Sequence, residues 1–347
     1  MRAVSAKGTA APLMPQVVLQ TQSPESPLEE FVAVTKAAGD RLRANILRVL
    51  HSDSFGVLEL CAIFDTAQPA LSHHLKVLHQ AGLVARHREG NSIFYRRRVH
   101  VDESPIRSTL HANLFSTIDE LPIPGEIATR LEATYRQRRT SSEAFFASNA
   151  NALASQQTLI SPSSAYAESM VAAWRHTDTE RGEALEIGPG DGELLASLAR
   201  DFDRVHGIDS SLAMLAAPER RCEGLGNVRL ENREFEQLPA HPHYDLLVTA
   251  MVVHHMPSPA RFFTHAHALL NSGGLLLIAE LVQHDQEWVR DACGDLWLGF
   301  DTSTLLRWAI DAGFEPREPE FLAQKNGFRI QTLSFLKPQL SDSGEDT

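Results

Sequence analysis

The chain has 347 residues, 43% hydrophobic and 22% charged, which is ordinary globular usage at a length that suits two domains. Three scattered cysteines without a Cys-x-x-Cys pair exclude a disulfide scaffold and a zinc ribbon, and no apolar run reaches the roughly 20 residues that span a bilayer. The net charge of −12 is uneven, because residues 28–100 carry 10 Lys and Arg against 7 Asp and Glu, whereas residues 101–347 carry 20 against 36. We therefore expect a cytoplasmic protein whose small basic part and large acidic part have different partners.

The first part of the chain predicts a tail, three short helices and a hairpin. Residues 1–27, rich in Ala, Pro, Ser and Gln, are expected to be disordered, as are residues 338–347. Helical spacing of apolar side chains then follows in three groups, namely Leu42, Ile46, Val49 and Leu50; Val57, Leu60, Ile63 and Phe64; and Leu71, Leu75 and Leu78. The helical spacing of apolar side chains then ends, and residues 83–88 and 92–96 have the character of two strands on either side of Glu89-Gly90-Asn91. This pattern predicts a β-hairpin.

Helices followed by a hairpin describe a winged helix-turn-helix, a DNA-binding arrangement. The polar face of the third helix carries side chains that read base edges or contact phosphates, namely Gln68, Ser72, His73 and Lys76. The hairpin carries arginines suited to the DNA backbone or minor groove, namely Arg86, Arg88, Arg96, Arg97 and Arg98. A solvated charged hairpin is the alternative for the arginines alone, and the ordered pattern of helix, turn and wing favours DNA.

Residues 28–121 resemble the ArsR/SmtB family of bacterial repressors. The segments that carry the resemblance are Glu59-Leu60-Cys61, Gln68–Leu78, Ala81-Gly82-Leu83-Val84 and the wing Arg88-Glu89-Gly90-Asn91 with Tyr95. The resemblance implies a homodimer, joined through residues 28–38 and a helix near 104–120, that reads a palindromic operator in double-stranded DNA. Metalloid sensors of the family have a second cysteine where this chain has Ile63. Cys61 is therefore interpreted as a buried hydrophobe, and no metal site is predicted.

The second part of the chain predicts helices and then a parallel sheet. Residues 104–175 are helical in pattern, with breaks at 122–125 and 161–162, and from residue 183 onward strands and helices alternate as in βαβ units. Predicted strands cover 184–187, 204–209, 227–231, 244–250 and 274–280. Residues 316–323 and 328–336 flank Asn326-Gly327, a strong hairpin signal. The sheet is therefore expected to end in an antiparallel pair.

A glycine-rich turn and a strand-end acid predict a nucleoside site. Gly188, Gly190 and Gly192 follow the first strand, with the third glycine one residue earlier than in a dinucleotide fingerprint. This spacing suits S-adenosylmethionine (SAM), which needs close backbone approach but brings no pyrophosphate. Asp209 ends the next strand, 21 residues after Gly188, where a carboxylate accepts both ribose hydroxyls. A tight loop and a helix cap are the alternatives for each feature alone.

Residues 141–337 resemble class I SAM-dependent methyltransferases, particularly the small-molecule type related to quinone-biosynthesis enzymes. The matching segments are the glycine turn, Glu234–Pro239, Tyr244–Met256 and Leu269–Ile278. The resemblance implies a Rossmann-like α/β domain with a seven-stranded sheet, capped by helices that carry Phe145, Phe146 and Tyr166. It implies that the cofactor meets Glu186, Gly188, Gly190, Gly192, Asp209, Ser210 and Glu234, the last at the adenine amino group.

Candidate residues for the methyl acceptor lie after the fourth and fifth strands. His254 and His255 are candidate catalytic bases for an acceptor that must lose a proton, and a polar lid or a satisfied buried imidazole is the alternative. The acceptor pocket is expected among Glu280, His284, Trp288, Asp295 and Trp297. A packed helix and loop is an equal alternative for that segment.

The sequence divides into a winged helix at 28–121, a helical linker and cofactor lid at 122–175 and a methyltransferase domain at 176–337. Three functions compete. The first is a transcriptional regulator with SAM or S-adenosylhomocysteine (SAH) as effector and methionine-cycle genes as targets, and the second is a working small-molecule methyltransferase that regulates its own operon. The third, an arsenic sensor and methylase, is disfavoured because Cys61, Cys222 and Cys293 lie in different segments.

Overall fold

The fold is known from a computed structural model. The structure describes residues 26–51, 53–89, 92–98 and 105–339, without the side chains of 89, 106 and 150–158. The predicted N-terminal tail lies outside these residues apart from its last two positions. Residues 340–347 of the predicted C-terminal tail and the wing tip Gly90-Asn91 also lie outside them.

The first described part of the chain is a winged helix. Its elements are α1 (Pro27–Ala38), α2 (Arg41–Val49), β1 (Phe55–Gly56), α3 (Val57–Phe64), α4 (Gln68–Gln80), β2 (Val84–Glu89), β3 (Ser92–Arg97) and α5 (Pro105–Asp119). The predicted hairpin of β2 and β3 is present, and the unpredicted β1 pairs with β3 on its other edge. Leu71, Leu75 and Leu78 of α4 are fully buried, so the opposite face of this helix is left to solvent.

Two helices join the winged helix to the larger domain, α6 (Gly125–Ile160) and α7 (Ser164–Arg175). They are separated at Ser161-Pro162, as predicted. Leu131 and Tyr135, near the start of α6, belong to the hydrophobic core of the winged helix. Phe145 and Phe146, farther along the same helix, pack against the core of the larger domain. One helix therefore contributes to both cores.

The larger domain alternates strands and helices. Its elements are β4 (Glu183–Ile187), α8 (Glu193–Asp201), β5 (Arg204–Asp209), α9 (Ala216–Arg221), β6 (Val228–Asn232), β7 (Tyr244–Ala250), α10 (Pro259–Leu269), β8 (Leu270–Leu281), α11 (Trp288–Cys293), α12 (Thr302–Asp311), β9 (Glu315–Pro316), β10 (Glu320–Ala323) and β11 (Arg329–Leu336). Short 3₁₀ turns cover Leu212–Leu215, Phe235–Gln237 and Val253–His255. Among the described helices, none combines the length and apolar character that crossing a bilayer requires.

The sheet has the order β10-β11-β8-β7-β4-β5-β6. The pairs among β4, β5, β6, β7 and β8 are parallel, and β11 runs antiparallel to β8 and β10. The predicted Rossmann-like sheet with an antiparallel end is confirmed. An eighth strand, β9, pairs with the end of β11, because the predicted segment 316–323 divides into two short strands. The strand order reverses at β4, which lies between β5 and β7, and open α/β sheets bind ligands at such a point.

Candidate functional site

A cavity of about 490 Å³ lies at the carboxyl ends of β4, β5 and β7. This volume is within the usual range of small-molecule sites. Helix α6 closes one side of the cavity. Its lining includes Arg139, Ser142, Phe146, Tyr166, Glu186, Gly188, Gly190, Asp209, Ser210, Glu234, His254, His255, Met256, Cys293 and Asp295. The structure thus gathers six of the seven predicted cofactor residues and both predicted catalytic histidines around one space.

The remaining cofactor residue, Gly192, lies just behind the cavity at the start of α8. Its φ of +80° is in the left-handed region, and a Cβ there would lie 2.8 Å from Cα of Pro218. Gly188 has a φ of +65°, and a Cβ there would lie 2.5 Å from the Val252 side chain. Both positions therefore require glycine, which holds the turn close against its neighbours and leaves its backbone facing the cavity.

Two acids, the buried Glu186 and the half-buried Asp209, face the cofactor end of the cavity. Glu186 is 2% exposed, and its Oε2 has no hydrogen-bond partner among the described residues. Burial, together with the charge of Asp191, raises the pKa of Glu186 well above its usual range. Asp209 accepts a hydrogen bond from the Ser211 backbone N–H at 2.8 Å, and burial raises the pKa of Asp209 to about 6. These acids can accept hydrogen bonds from an ammonium group and from hydroxyls of a ligand.

Glu234 lies at the rim of the same end of the cavity. Its Oε2 is 3.4 Å from Nη1 of Arg139 on α6. The predicted adenine-reading acid is therefore tied by an ion pair to the helix that joins the two domains.

His254 is buried and held by an acid behind it. Its Nδ1 lies 2.6 Å from Oε1 of Glu280, and its backbone N–H donates to Oε2 of the same carboxylate at 3.1 Å. Burial alone would lower the pKa of His254, but the charges of Glu280 and Asp295 raise it to about 9. Its Nε2 lies 3.8 Å from Oδ1 of Asp295.

His255 differs from its neighbour in charge and partners. Its Nδ1 lies 3.2 Å from the Gly294 carbonyl oxygen, and its Nε2 has no partner among the described residues. Burial and the charge of His254 lower the pKa of His255 well below its usual range, so this imidazole is neutral. Its ring meets Phe146 of α6 edge to face at 4.9 Å between centroids. The structure therefore assigns the two predicted bases different protonation states.

The predicted acceptor pocket requires correction. Trp288 and His284 pack against Phe328 rather than the cavity. Glu280 is fully buried behind His254. Trp297 is buried between the domains and donates from Nε1 to the Met256 carbonyl at 2.9 Å. The side chains that line this end of the cavity are His254, His255, Met256, Cys293 and Asp295.

The predicted recognition face lies on the exposed side of α4. Its four polar residues are all exposed, namely Gln68, Ser72, His73 and Lys76. Arg86 and Arg88 are exposed on β2, and Arg98 is half-buried after β3. The sequence pattern and the structure agree on which side of this helix is free for a partner.

Two arginines of the wing are not on that surface. Arg97 is 5% exposed and donates to both carboxylate oxygens of Asp119, at 2.7 and 2.5 Å, with its guanidinium 4.5 Å from the Phe115 ring centroid. Arg96, on the opposite face of β3, donates to Thr304 of α12. Their prediction as DNA contacts is wrong, because the residues of a strand alternate in direction and both faces of β3 are covered.

A charged junction between the domains was not predicted from the sequence. Arg138 of α6 is 8% exposed and makes two 2.7 Å hydrogen bonds to the carboxylate of Glu59 in α3. Its other N–H groups donate to the carbonyls of Ser54 and Pro257, both at 3.0 Å. Its guanidinium also lies between the rings of Phe55 and Trp297, with centroid distances of 4.8 and 4.7 Å.

Asp53 forms the second part of this junction. It is 2% exposed, and its Oδ2 accepts hydrogen bonds from the Tyr135 hydroxyl and the Ser258 hydroxyl, both at 2.6 Å. Pro257 and Ser258 follow, after Met256, the turn that carries His254 and His255. The winged helix is thus bonded to the segment that lines the cavity. Partners separated by up to 205 residues leave no local sequence signal.

Comparisons with known proteins agree with both halves. Residues 40–86 match the family model described as bacterial regulatory protein, arsR family. An uncharacterized HTH-type transcriptional regulator of Methanocaldococcus jannaschii is 39% identical over 70 residues, which are 19% of this chain and 76% of that protein. The transcriptional repressor SdpR of Bacillus subtilis is 36% identical over 62 residues, 18% of this chain and 69% of that protein.

Residues 164–331 match a methyltransferase domain model. A ubiquinone biosynthesis O-methyltransferase of Paramagnetospirillum magneticum is 32% identical over 112 residues, which are 32% of this chain and 45% of that enzyme. The chain spans only 31 to 52% of the length of this and two other curated relatives. By its winged helix the chain belongs to the arsR family of bacterial regulatory proteins, and it joins that winged helix to a methyltransferase domain.

Proposed function

We propose that the protein is a DNA-binding transcriptional regulator whose methyltransferase domain binds SAM or SAH and transmits that occupancy to the winged helix. The observation that carries this proposal is the junction of Arg138 and Asp53 with Pro257 and Ser258. A ligand shifts an equilibrium only through different affinities for two states. A ligand that moves the turn at His254 acts on the winged helix through these bonds.

The residues of the cofactor end fit SAM. Asp209 suits the two ribose hydroxyls, and the unpartnered Oε2 of Glu186 suits the ammonium group of the methionine part. The glycine turn has no side chains at these positions, so its backbone allows the cofactor to approach closely. SAM, when bound, supplies a methyl group on a sulfonium leaving group. The chain's own task is then to orient the cofactor and to exclude water.

The DNA-binding half is proposed to act as a homodimer. Helix α1 exposes three large apolar side chains, Leu28 at 70%, Phe31 at 47% and Val32 at 50%. This helix lies against α5, with an ion pair of 3.2 Å between Glu30 and Arg107. A second copy that covers this face would place two α4 helices for successive half-sites of a palindromic operator.

A working methyltransferase is the second candidate function. The observation that favours it is the polar group of His254, His255 and Asp295, which lines the same cavity as Asp209 and Glu186. A domain that only senses SAM needs no such chemistry beyond the cofactor. We propose that a small-molecule acceptor binds there, and SAH formation from SAM in the presence of candidate acceptors measures this activity.

Fluorescence anisotropy on DNA from the protein's own promoter tests the regulatory function. We expect SAM or SAH to change the DNA affinity of the wild type several-fold and to leave that of Asp209→Asn unchanged. Asp203→Asn, at an exposed acid before the same strand, is the matched control and should respond like the wild type. Promoters of methionine-cycle genes are the further expected targets, because those genes set the ratio of SAM to SAH.

Arsenite, added in the same assay, distinguishes arsenic sensing from regulation by SAM or SAH. If arsenite releases the DNA while saturating SAM and SAH leave it bound, the effector is a metalloid and the proposed regulation is refuted. If calorimetry shows that SAH binds but DNA affinity does not change with any ligand, the proposed regulatory link is refuted and only the methyltransferase function is left to test.

A further inference from the structure

We infer that His254, His255 and Asp295 form a site for a zinc-type divalent ion at the acceptor end of the cavity. No metal site was predicted from the sequence, since the cysteine pattern argues against one in the winged helix. The three residues of this site come from the turn after β7 and from the segment after α11. The role of the ion rests on the proposed methyltransferase activity, whereas its binding can be measured without turnover.

The geometry places three donors around one point. One ligand atom of each residue lies within 4.8 Å of the other two. Nε2 of His254 is 3.8 Å from Oδ1 of Asp295, and the ring of His255 lies beside the same oxygen, with Nδ1 at 3.9 Å. Because Nδ1 of His255 donates to the Gly294 carbonyl, the lone pair of this neutral ring is on Nε2. Ligands at about 2.0–2.1 Å from one zinc ion lie roughly 3.3 Å apart, so closing the site requires movements of about 1.5 Å or less. Three protein ligands with an open fourth position are typical of catalytic zinc.

Unsatisfied buried atoms point to a missing partner. Asp295 is 3% exposed, and neither of its carboxylate oxygens has a hydrogen-bond partner among the described residues. Nε2 of His255, at 8% exposure, has none either. The charge of Arg290 acts on Asp295, but its Nη1 donates to the Leu296 carbonyl at 2.8 Å. Buried polar groups without partners are costly, and a bound cation would satisfy them.

The residue behind the site supports a metal ligand. Glu280 accepts from Nδ1 of His254, so Nε2 is the nitrogen on the side of Asp295, and a metal ion bound there would take the place of its proton. Glu280 is itself fixed by the backbone N–H groups of His254 and Leu281, at 3.1 and 2.6 Å. A carboxylate that orients a histidine from behind is the usual support of a metal-bound imidazole. The two buried carboxylates, Glu280 and Asp295, also match the charge of a divalent cation.

The donor set selects the ion and the acceptor class. Two imidazoles and one carboxylate suit zinc better than magnesium, which prefers oxygen ligands and retains water. In the open position, the ion would polarise the hydroxyl group of a small-molecule acceptor, which then loses its proton to water. The acceptor oxygen forms a bond with the methyl carbon of SAM as the sulfur–carbon bond breaks. The electron pair remains on sulfur, and the products are the methyl ether and SAH.

Titration calorimetry of the full chain, stripped with a chelator, tests the site. We expect ZnCl₂ to bind at one site per chain and MgCl₂ to bind at least 10-fold more weakly. Asp295→Asn and Glu280→Gln should each lower zinc affinity by about 10- to 100-fold. Asp285→Asn, at an exposed acid nearby, and Cys61→Ser, at the single thiol of the winged helix, should bind zinc like the wild type.

A measurement on the wild type alone guards against variants that misfold. Co²⁺ in a four-coordinate site of nitrogen and oxygen ligands gives visible absorption bands that zinc should abolish. Absence of stoichiometric zinc binding, or loss of it in Cys61→Ser alone, overturns the inference. SAH binding by the zinc-free wild type is measured in parallel. If SAH binds and zinc does not, only the metal site fails, and if zinc binds and SAH does not, only the proposed cofactor function fails.

Discussion

Replacing Arg138 with methionine should uncouple the two domains. Methionine keeps most of the side-chain length and still fills the space between Phe55 and Trp297. It removes both hydrogen bonds to Glu59 and those to the carbonyls of Ser54 and Pro257. The substitution thus breaks the charged junction with little change in packing volume.

The magnitude follows from the burial of the pair. Breaking a buried ion pair by removing one partner costs about 3–5 kcal/mol, because the other charge is left without compensation. The Glu59 side chain is 28% exposed and also accepts from the Gly56 backbone N–H at 2.8 Å. We therefore expect the lower end, about 3 kcal/mol of lost unfolding free energy. Arg136→Met, at an exposed position of the same helix, should change it by less than about 0.5 kcal/mol.

Urea denaturation with two probes measures the effect. All four tryptophans, Trp174, Trp288, Trp297 and Trp308, follow the winged helix in the chain. Their fluorescence therefore reports the larger domain and, through Trp297, its junction with the winged helix, whereas far-UV circular dichroism reports both domains in full. Coincident transitions indicate joint unfolding. We expect them to coincide in the wild type and to separate in Arg138→Met, with the winged helix unfolding first. Equal curves for Arg138→Met and Arg136→Met would refute the reasoning.

The remaining predictions concern Asp209, Asp119 and the two exposed arginines of β2. Asp209→Ala should weaken SAH binding about 10-fold or more, since hydrogen bonds to a charged group are worth about 1.5–3 kcal/mol. In the wild type SAH affinity should fall as pH drops through about 6, where Asp209 takes up a proton; calorimetry that gives one affinity from pH 5 to 8 would argue against this role. Hydrogen bonds from Arg97 and His51 outweigh burial and lower the pKa of Asp119 to about 2. The ionised Asp119 therefore stabilises the folded state at pH values above about 3.9, the pKa of an unfolded aspartate, and this stabilisation is lost as the pH falls toward 2. In Asp119→Asn, the melting temperature should accordingly fall less steeply between about pH 4 and pH 2 than in the wild type. The double variant Arg86→Ala, Arg88→Ala should bind DNA more weakly, and the slope of log affinity against log salt concentration should fall by the equivalent of about two phosphate contacts. An unchanged slope in fluorescence anisotropy would show that β2 does not contact DNA.

Local patterns in the sequence predicted the elements, because each pattern reflects one helix or strand. The glycine turn from Gly188 to Gly192 and the strand end at Asp209 were found because their backbone needs are local. The hairpin of β2 and β3 followed from its alternation for the same reason. The segment after residue 316 was predicted as one strand and forms two, since its pairing depends on a partner, β11, that lies beyond the turn.

Contacts between residues far apart in the chain could not be predicted from patterns in the sequence. Arg97 looks like a basic wing residue until Asp119 of α5 is placed 2.5 Å from it. Arg138 looks like a solvated helix residue until both domains enclose it. Asp295 shows its lack of hydrogen-bond partners only when the buried surroundings are known. In each case the deciding quantity is burial among residues far apart in the chain, which periodicity does not report.

The position of the junction makes a last prediction about which part of a ligand controls DNA binding. SAM and SAH differ only at sulfur, so a protein that distinguishes them must do so at the methyl end of the site. In the proposed placement of the ligand, that end lies at the turn of His254 and His255, which Met256 joins to Pro257 and Ser258 at the junction. The ribose end, at Asp209, makes no such contact with the winged helix among the described residues. Adenosine, which lacks the sulfur and the amino acid part, should therefore compete with SAH for the cavity in calorimetry yet leave DNA affinity unchanged. If saturating adenosine shifts DNA affinity as far as SAH does, the signal originates at the nucleoside end, at Asp209 or at the Glu234–Arg139 ion pair, and not at the turn of His254.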